Sequence, residues 1–304
     1  MSMRFDGQVA IVTGAGNGLG RAHALALASR GARVVVNDLG GARDGTGASS
    51  EAATAVVQQI IDAGGEALAN GANVAKIDEV EAMVQQAVDT WGRVDVLINN
   101  AGILRDKSFA KMALSDFQLV LDVHLGGTVN CTKAVWDIMR TQSYGRIVMT
   151  TSSSGMYGNY GQSNYGAAKM AVLGLMNTLV QEGDKFDIRI NALSPGAATR
   201  MTEDLLQEDV KALMNVEPVA QAMIALCHRD APSHCILNAQ AGSYSMTRLV
   251  EGEVLWLAPE QQVAEEIVSH WGVIDNTDGL AHPKTGSEHV IRMVTAAAKG
   301  LGVA

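Results

Sequence analysis

Short apolar runs rich in β-branched residues alternate with longer amphipathic segments along most of this chain. Apolar runs of about four to eight residues bounded by turn residues are typical of strands, whereas apolar positions that recur every three or four residues are typical of helices. An alternation of the two kinds is that of an α/β fold, a doubly wound parallel sheet of about seven strands with helices on both faces. The pattern predicts strands at 8–13, 33–37, 66–69, 94–99, 145–151, 187–193 and 234–239 (the last strand), and helices at 20–31, 49–63, 77–91, 115–141 and 162–184.

Two regions depart from this alternation. The segment 39–50, LGGARDGTGASS, is a loop rich in Gly and Ser that is longer than an ordinary connection between a strand and a helix. After the last predicted strand the apolar content falls, with one helix at 259–271, a polar loop and a short terminal helix. We therefore expect one domain at 1–250, with short helices that could cover a substrate at 200–230, and a helical C-terminal extension at 251–304 that is not an independent domain.

The composition is that of a globular protein, with 47% apolar and 18% charged residues among 304. A net charge of −9 argues against a nucleic-acid surface, which needs clustered Lys and Arg. We find no signal-peptide pattern, no run of about 20 apolar residues and no basic amphipathic segment, so we expect no membrane partner. Three cysteines and seven scattered histidines show no ligand spacing. These features predict a cytoplasmic protein without a catalytic metal.

A glycine-rich turn, TGAGNGLG (13–20), lies between the first predicted strand and the first helix. Open parallel sheets bind dinucleotides at such a turn, because glycines let a phosphate approach and the helix N-terminus supplies amide donors. The spacing from Gly14 through Gly18 to Gly20 is G-x-x-x-G-x-G, and a glycine run by itself can mark only a turn. In its strand–turn–helix context it predicts a nucleotide site in a Rossmann-type fold.

Asp38, at the end of the second strand, indicates which dinucleotide would bind. A carboxylate there can accept hydrogen bonds from the adenosine ribose and would repel a 2′-phosphate, which favours NAD over NADP. The alternative is an aspartate that caps the following loop, and Arg43 lies near enough to weaken the preference. NNAG (99–102) follows the fourth strand, where small residues would let the chain pass close to a flat ligand, although this motif can also be a simple turn.

Tyr165 and Lys169 are four residues apart on a predicted helix, which puts both side chains on one face. A phenol ordinarily keeps its proton up to a pKa of about 10, and a nearby ammonium favours the phenolate. The pair is therefore a candidate acid/base for the interconversion of an alcohol and a ketone. Taken alone, the spacing could be a coincidence.

Together these segments resemble the short-chain dehydrogenase/reductase family, in its single-domain branch, over about residues 5–250. Within the family, NDLGG, NNAGILRDKSFAKM, GRIVMTTSS and GMYGNYGQSNYGAAK are similar to the (3R)-hydroxyacyl-CoA dehydrogenase part of peroxisomal multifunctional enzymes of type 2. The segments that occur in the family's order and spacing are Thr13–Gly20, Asn99–Gly102, a serine before the tyrosine, Tyr165 with Lys169, and Pro195–Gly196.

The resemblance implies roles at the reaction centre. Tyr165 would take the proton of the substrate hydroxyl, while Lys169 would lower the pKa of the tyrosine and hold the nicotinamide ribose. A serine 13 residues before the tyrosine would hydrogen-bond the substrate oxygen as charge develops. The spacing alone leaves Ser153 and Thr151 open, and the family pattern selects Ser152.

His124 departs from the family pattern. Many relatives read D-V-N-L-x-G where this chain reads DVHLGG (122–127). In the family this position holds a kink and a water that extends a proton relay from the lysine. His124 could serve that relay through its carbonyl or its ring, and an unrelated packing role is the alternative.

The resemblance also implies a set of cofactor contacts, in which Asn73 stands where relatives often use an aspartate against the adenine. The implied NAD-binding residues are Gly14, Asn17, Gly18, Leu19, Gly20, Asp38, Asn73, Val74, Asn99, Ala101, Gly102, Tyr165, Lys169, Pro195, Gly196 and Thr199.

The leading hypothesis is an NAD-dependent oxidoreductase that interconverts a (3R)-3-hydroxyacyl-CoA and its 3-ketoacyl-CoA. The alternative is a dehydrogenase for a hydroxysteroid or another free alcohol. A non-catalytic NAD-binding regulator is a remote alternative, because Ser152, Tyr165 and Lys169 are all present. A sugar-nucleotide epimerase would favour G-x-x-G-x-x-G and a larger C-terminal domain. The long helices at 115–141 and 162–184 resemble those that pair between subunits, so we expect a homodimer or a homotetramer.

Overall fold

In the computed structural model, which describes residues 3–199 and 208–303, eight strands form one sheet. The strands are β1 (Val9–Thr13), β2 (Arg33–Asn37), β3 (Glu66–Asn70), β4 (Val96–Asn99), β5 (Gly145–Thr150), β6 (Ile188–Gly196), β7 (Ile236–Gln240) and β8 (Ser243–Thr247). Their order across the sheet is β3-β2-β1-β4-β5-β6-β7-β8. Strands β1 to β7 pair in parallel. Because β1 has β2 on one side and β4 on the other, the order in which strands are added across the sheet reverses there, and a crevice opens at the carboxyl ends of these strands.

Helices cover both faces of the sheet. The central strands are buried on both sides, so they read as continuous apolar runs such as VAIVT in β1. The helices of the larger unit are α1 (Gly18–Ala28), α2 (Glu51–Asp62), α3 (Ile77–Trp91), α4 (Leu114–Leu121), α5 (Gly127–Gln142), α6 (Ser153–Met156), α7 (Ser163–Gly183), α8 (Glu208–Leu213) and α9 (Val216–Cys227). Helices α1, α2 and α9 share one apolar core with Val12 and Val34, and helices α3, α5 and α7 share the other with Ile11 and Leu97.

The predicted fold class is confirmed, but the prediction that 234–239 is the last strand was wrong. A further strand, β8, follows β7 after a turn at Ala241 and Gly242, whose φ angles are 49° and 70°. Two successive residues with positive φ are the signature of a tight hairpin turn that joins neighbouring strands. The sequence analysis missed it because Ala-Gly is a weak turn signal compared with Asn-Gly.

The chain divides into two compact units, Met1–Met246 and Thr247–Ala304. The smaller unit contains α10 (Ala264–Ser269), α11 (Trp271–Ile274) and α12 (Gly286–Leu301). The single helix predicted at 259–271 was therefore wrong: the segment is broken into a 3₁₀ turn at Pro259–Gln261 and two short helices.

The predicted short terminal helix is instead the longest helix of the smaller unit. Thr285 caps it by accepting a hydrogen bond from the Glu288 amide at 3.1 Å, while the Glu288 carboxylate accepts from the Lys284 amide at 2.7 Å. The T-x-x-E sequence that makes these bonds is a capping-box signal for the start of a helix. That 251–304 is not an independent domain stays a prediction.

One stretch of the described chain, Asp209–Cys227, is long and apolar enough by composition to cross a membrane. In the fold it contains most of α8 and all of α9, and α9 buries Val219, Met223 and Ile224 against the sheet and α1. Its apolar character is that of a core helix.

A fully buried arginine lies at the amino end of β5, the end of the sheet opposite the crevice. Arg146, at the start of β5, donates to the carbonyls of Asp187 at 2.6 Å and Arg229 at 2.6 Å, and to the Asp187 carboxylate at 3.1 Å. Its guanidinium also stacks on Tyr144, 4.2 Å from the ring centroid. These bonds tie the segment after α9 to β5 and the turn before β6.

We expect Arg146→Met to lower the free energy of unfolding by about 1–3 kcal/mol, because it removes the charged donor that joins the carbonyls of Asp187 and Arg229. Urea denaturation measures the change. Arg4→Met is the matched control, since Arg4 pairs with Asp6 where both side chains are exposed, and it should change stability by no more than about 0.5 kcal/mol. A loss below about 1 kcal/mol for Arg146→Met would contradict the prediction.

Candidate active site

The glycine turn after β1 packs against the turn after β4. The φ angles of Gly14 and Gly18 are 63° and 52°, which side chains other than glycine rarely adopt. A Cβ on Gly20 would lie 2.1 Å from the Gly14 carbonyl oxygen and 2.5 Å from the Asn100 side chain. At the N-terminus of α1 the turn therefore exposes backbone that no side chain covers. The amide groups and the helix dipole there favour the binding of an anion.

A cavity of about 250 Å³ opens over this turn. Its lining includes predicted cofactor residues from five connections at the carboxyl edge of the sheet, namely Gly14, Asn17, Gly18, Leu19, Gly20, Asp38, Asn73, Val74, Ala101, Gly102 and Thr199. It also includes residues that the sequence analysis did not select, namely Asn37, Leu39, Gly41, Ala42, Arg43, Gly45, Ala72, Ala75, Asn100, Ile103, Leu119 and Val123. The long loop after β2 supplies several of these, and its unusual length was the signal that could have indicated them.

Asp38 lies at the side of the cavity with both carboxylate oxygens near backbone amides. Oδ2 accepts from the Gly16 amide at 2.7 Å, and Oδ1 accepts from the Gly40 amide at 2.7 Å. Each carboxylate oxygen has a second lone pair, so the group can still accept hydrogen bonds from a diol. Backbone amides, a carboxylate and glycines without Cβ atoms are a donor and acceptor set that fits a dinucleotide.

Asn99 and Asn100 have different surroundings. Asn99 is buried and donates to the Thr132 hydroxyl at 3.1 Å, and it does not line the cavity. Asn100 Nδ2 donates to the carbonyls of Thr13 at 2.9 Å and Gly14 at 3.0 Å. The contact with the glycine turn is therefore made by the second asparagine of NNAG.

Pro195 and Gly196 end β6, where they pair with β7, and neither lines the cavity. Thr199 does line it, and its methyl group would lie 3.3 Å from a Cβ on Gly18. The predicted substrate cover begins at 200, and its residues 200–207 lie outside the described part of the chain.

Ser152, Tyr165 and Lys169 come together at the carboxyl end of β5. Ser152 caps α6 and hydrogen-bonds the Tyr165 hydroxyl. Lys169 is buried, donates to the Thr150 carbonyl at 2.7 Å and lies 5.6 Å from the centroid of the Tyr165 ring. The Thr151 hydroxyl instead donates to the Lys169 carbonyl at 2.8 Å. Of the three upstream hydroxyls that the spacing left open, Ser152 is thus the one bonded to the tyrosine.

Burial sets the protonation of this pair. It lowers the pKa of Lys169 to about 7, because an ammonium loses its hydration inside the protein. Burial also raises the pKa of Tyr165 above its ordinary value, and the hydrogen bond from Ser152 only partly opposes it. Among the protein's own groups, burial therefore dominates the pKa of Tyr165, and the role of Lys169 in lowering that pKa stays a prediction for the cofactor-bound enzyme.

His124 lies between the NNAG turn and Tyr165. The predicted helix 115–141 is interrupted by a π-helical turn, Asp122–Gly126, that carries this histidine. Its Nε2 lies 3.1 Å from the Ile103 amide and 2.8 Å from the Ile103 carbonyl, and its ring meets the Tyr165 ring edge-on at 5.1 Å.

The environment of the His124 ring keeps it neutral. Burial, with a smaller effect of Lys169, lowers its pKa to about 3. Nδ1 is buried and has no hydrogen-bond partner among the described residues, and the His124 carbonyl accepts from the Thr128 hydroxyl at 2.7 Å. Nε2 meets only the amide and the carbonyl of Ile103, neither of which acts as an acid or a base near neutral pH, so the ring is arranged to hold Tyr165 and Ile103 in place.

Comparison with known proteins identifies the family. The short chain dehydrogenase family matches residues 8–210. The chain is 43% identical to peroxisomal multifunctional enzyme A of Dictyostelium discoideum, covering 97% of this chain and 66% of that protein. It is 44% identical to peroxisomal multifunctional enzyme type 2 of Mus musculus, covering 94% of this chain and 39% of that protein. The chain thus spans less than two thirds of the length of either relative.

Two solved structures have folds similar to that of this chain. Full-length peroxisomal multifunctional enzyme type 2 from Drosophila melanogaster matches with a TM-score of 0.81 and 35% identity, covering 98% of this chain and 50% of that one. A 7α-hydroxysteroid dehydrogenase complexed with NADH and 7-oxo glycochenodeoxycholic acid matches with a TM-score of 0.71 and 28% identity, covering 79% of this chain and 95% of that one. The family match covers residues 8–210, and peroxisomal multifunctional enzyme A is 43% identical over 97% of this chain. The chain therefore belongs to the short chain dehydrogenase family.

Proposed function

We propose that this chain, an oxidoreductase acting on CH–OH groups, uses NAD to interconvert a (3R)-3-hydroxyacyl-CoA and the corresponding 3-ketoacyl-CoA. The observation that carries the proposal is the placement of Ser152, Tyr165 and Lys169 at the sheet edge that also forms the dinucleotide cavity. The hydroxyacyl substrate class is supported by the similarity to peroxisomal multifunctional enzymes over nearly the whole chain.

Each residue has a chemical task in this proposal. Tyr165 Oη exchanges the proton of the substrate oxygen, and Ser152 hydrogen-bonds the same oxygen as its charge changes. NAD would supply the acceptor for the hydride of the carbinol carbon. Lys169, with a pKa of about 7, can hold or release a proton next to Tyr165 near neutral pH. His124 fixes the position of the Tyr165 ring without exchanging protons itself.

A second candidate function is a hydroxysteroid dehydrogenase. It is supported by the similarity in fold to the 7α-hydroxysteroid dehydrogenase described above. This function requires the same proton transfer at Tyr165. The two candidate substrates differ in the group attached to the reacting alcohol, a steroid ring system in one and an acyl thioester in the other.

We also propose a homodimer or a homotetramer. Apolar side chains are exposed on the two long helices, Val129 on α5 at 40% and Met170 on α7 at 39%, which fits helices that pack against another subunit. Cytoplasmic location stays a prediction beside relatives whose names place them in peroxisomes.

An absorbance screen for NADH tests the substrate class. (3R)- and (3S)-3-hydroxyacyl-CoAs of graded length are compared with free hydroxysteroids, and we expect turnover of the (3R)-thioesters. Tyr165→Phe should lower kcat/KM by about 10²–10⁴-fold because proton transfer is lost, whereas Tyr160→Phe, which removes a hydroxyl from a fully exposed ring, should leave it unchanged. Turnover of steroids alone would reject the thioester, and full activity of Tyr165→Phe would reject the mechanism.

The choice of dinucleotide depends on Asp38. We expect wild-type kcat/KM to be at least tenfold higher with NAD than with NADP, and Asp38→Ser to reduce that ratio about tenfold or more, because the repulsion of a 2′-phosphate is removed. Asp62→Ser, at the exposed end of α2, makes the same change of charge and should keep the wild-type ratio. A tenfold preference of the wild type for NADP would show that the assignment is wrong.

Buried Lys169 should make stability depend on pH. Its pKa is about 7 in the folded chain and 10.5 ordinarily, so the unfolded chain binds more protons between these values and stability rises with pH there. Lys169→Met should therefore gain stability relative to wild type most below pH 7, and the difference should shrink as pH approaches 10.5. Urea titrations at several pH values measure it, with the exposed Lys133→Met as control. A difference that is constant with pH would contradict the prediction.

A further inference from the structure

The segment 39–48 after β2, named the cofactor loop, roofs the dinucleotide cavity. Ala42, Arg43 and Gly45 of this loop line the cavity. The Ser49 amide donates to the Leu39 carbonyl at 2.9 Å, so the two ends of the loop meet between β2 and α2. The residues between Leu39 and Ser49 therefore form one closed loop.

The tip of the cofactor loop is bonded to the chain that follows β4, on the other side of the cavity. The Leu104 amide donates to the Arg43 carbonyl at 3.0 Å. Arg105 Nε donates to the Asp44 carbonyl at 2.8 Å. The two bonds thus join segments that both line the cavity, through Arg43 on one side and Ile103 on the other.

Close packing accompanies these two hydrogen bonds. Gly45 has a φ of 86°, and a Cβ on it would lie 3.2 Å from the Ile103 side chain. The backbone of the loop tip therefore lies directly on Ile103, which itself lines the cavity. Inside the loop, the Ala42 amide donates to the Thr46 carbonyl at 2.7 Å, a bond that remains when the loop moves as a body.

Arg105 is held from two sides that do not belong to the loop. Its Nη1 pairs with the Asp116 carboxylate on α4 at 2.5 Å. Its carbonyl accepts from Asn164 Nδ2 at 3.0 Å, and the Asn164 side-chain oxygen accepts from the Tyr165 amide at 2.8 Å. Asn164 is fully buried. Arg105 is therefore anchored to α4 through its guanidinium and to α7, the helix that carries Tyr165, through its carbonyl.

We propose that Arg105 is a positioning residue that keeps the cofactor loop closed over the bound dinucleotide and thereby limits its release. The inference rests on the proposed dinucleotide site. Of the two hydrogen bonds described between the loop carbonyls and segment 103–105, the one from Arg105 is made by a side chain and carries a charge, so its removal should loosen the loop tip without unfolding the chain. The strength of such a bond corresponds to about a tenfold or larger change in a rate that depends on it.

Two measurements on the full chain test the proposal. Hydrogen exchange followed by mass spectrometry reports opening of peptides that cover 39–50 without any nucleotide, and stopped-flow displacement reports the dissociation rate of NADH. Arg105→Ala should speed amide exchange in this loop about tenfold and NADH dissociation about tenfold, because the charged donor to Asp44 is lost. Asp116→Asn, which does not touch the loop but frees the guanidinium, should shift both readouts in the same direction.

Arg140→Ala is the matched control, since it removes an Arg–Asp pair on α5 and should leave both readouts within about twofold of wild type. If wild type and Arg105→Ala have equal melting temperatures, faster exchange in the loop reports local opening and not a global loss of stability. Unchanged exchange and unchanged NADH dissociation in Arg105→Ala would overturn the role of Arg105 alone. A wild-type chain that does not bind NADH would overturn the proposed dinucleotide site instead, so the two failures are distinct.

Discussion

The crevice that carries the site depends on one hydrogen-bonded junction between the ends of β1 and β4. Thr13 is buried, donates its hydroxyl to the Ile98 carbonyl at 3.2 Å and accepts from the amides of Asn100 at 3.0 Å and Ala101 at 3.1 Å. The Asn100 side chain returns two bonds to the glycine turn. Parallel strands that diverge at a switch point leave backbone groups unpaired, and this junction satisfies them while it fixes the width of the crevice.

The strands of the fold were predictable where burial constrains every residue of the strand. Strands buried on both faces must be apolar throughout, so β1, β2 and β4 could be located from composition and length. The hairpin that adds β8 depends on positive φ angles at Ala241 and Gly242, which no periodicity reports. The smaller unit was misread for a related reason: its helices bury no residue fully, so the apolar pattern there carries little information about where each helix begins.

The candidate site was predictable where a motif is continuous in sequence. The glycine turn, Asp38 and the Tyr165–Lys169 pair fall where local spacing places them. The roof contributed by 39–45 was not predictable, because its contacts with 103–105 join segments about sixty residues apart in sequence. The burial of Tyr165 and Lys169 was not predictable either, because their spacing indicates that a cation is near the phenol but not that both groups are removed from water.

The π-helical turn at Asp122–Gly126 has a consequence for which sequences this site can accept. It pushes the His124 ring into the space beside Gly102, where a Cβ would lie 2.3 Å from a ring atom. An aromatic ring at 124 and a side chain at 102 therefore exclude each other. An alanine at 102 becomes compatible only with a smaller residue at 124, so the two positions form a volume-compensating pair that links the dinucleotide turn to the support of Tyr165.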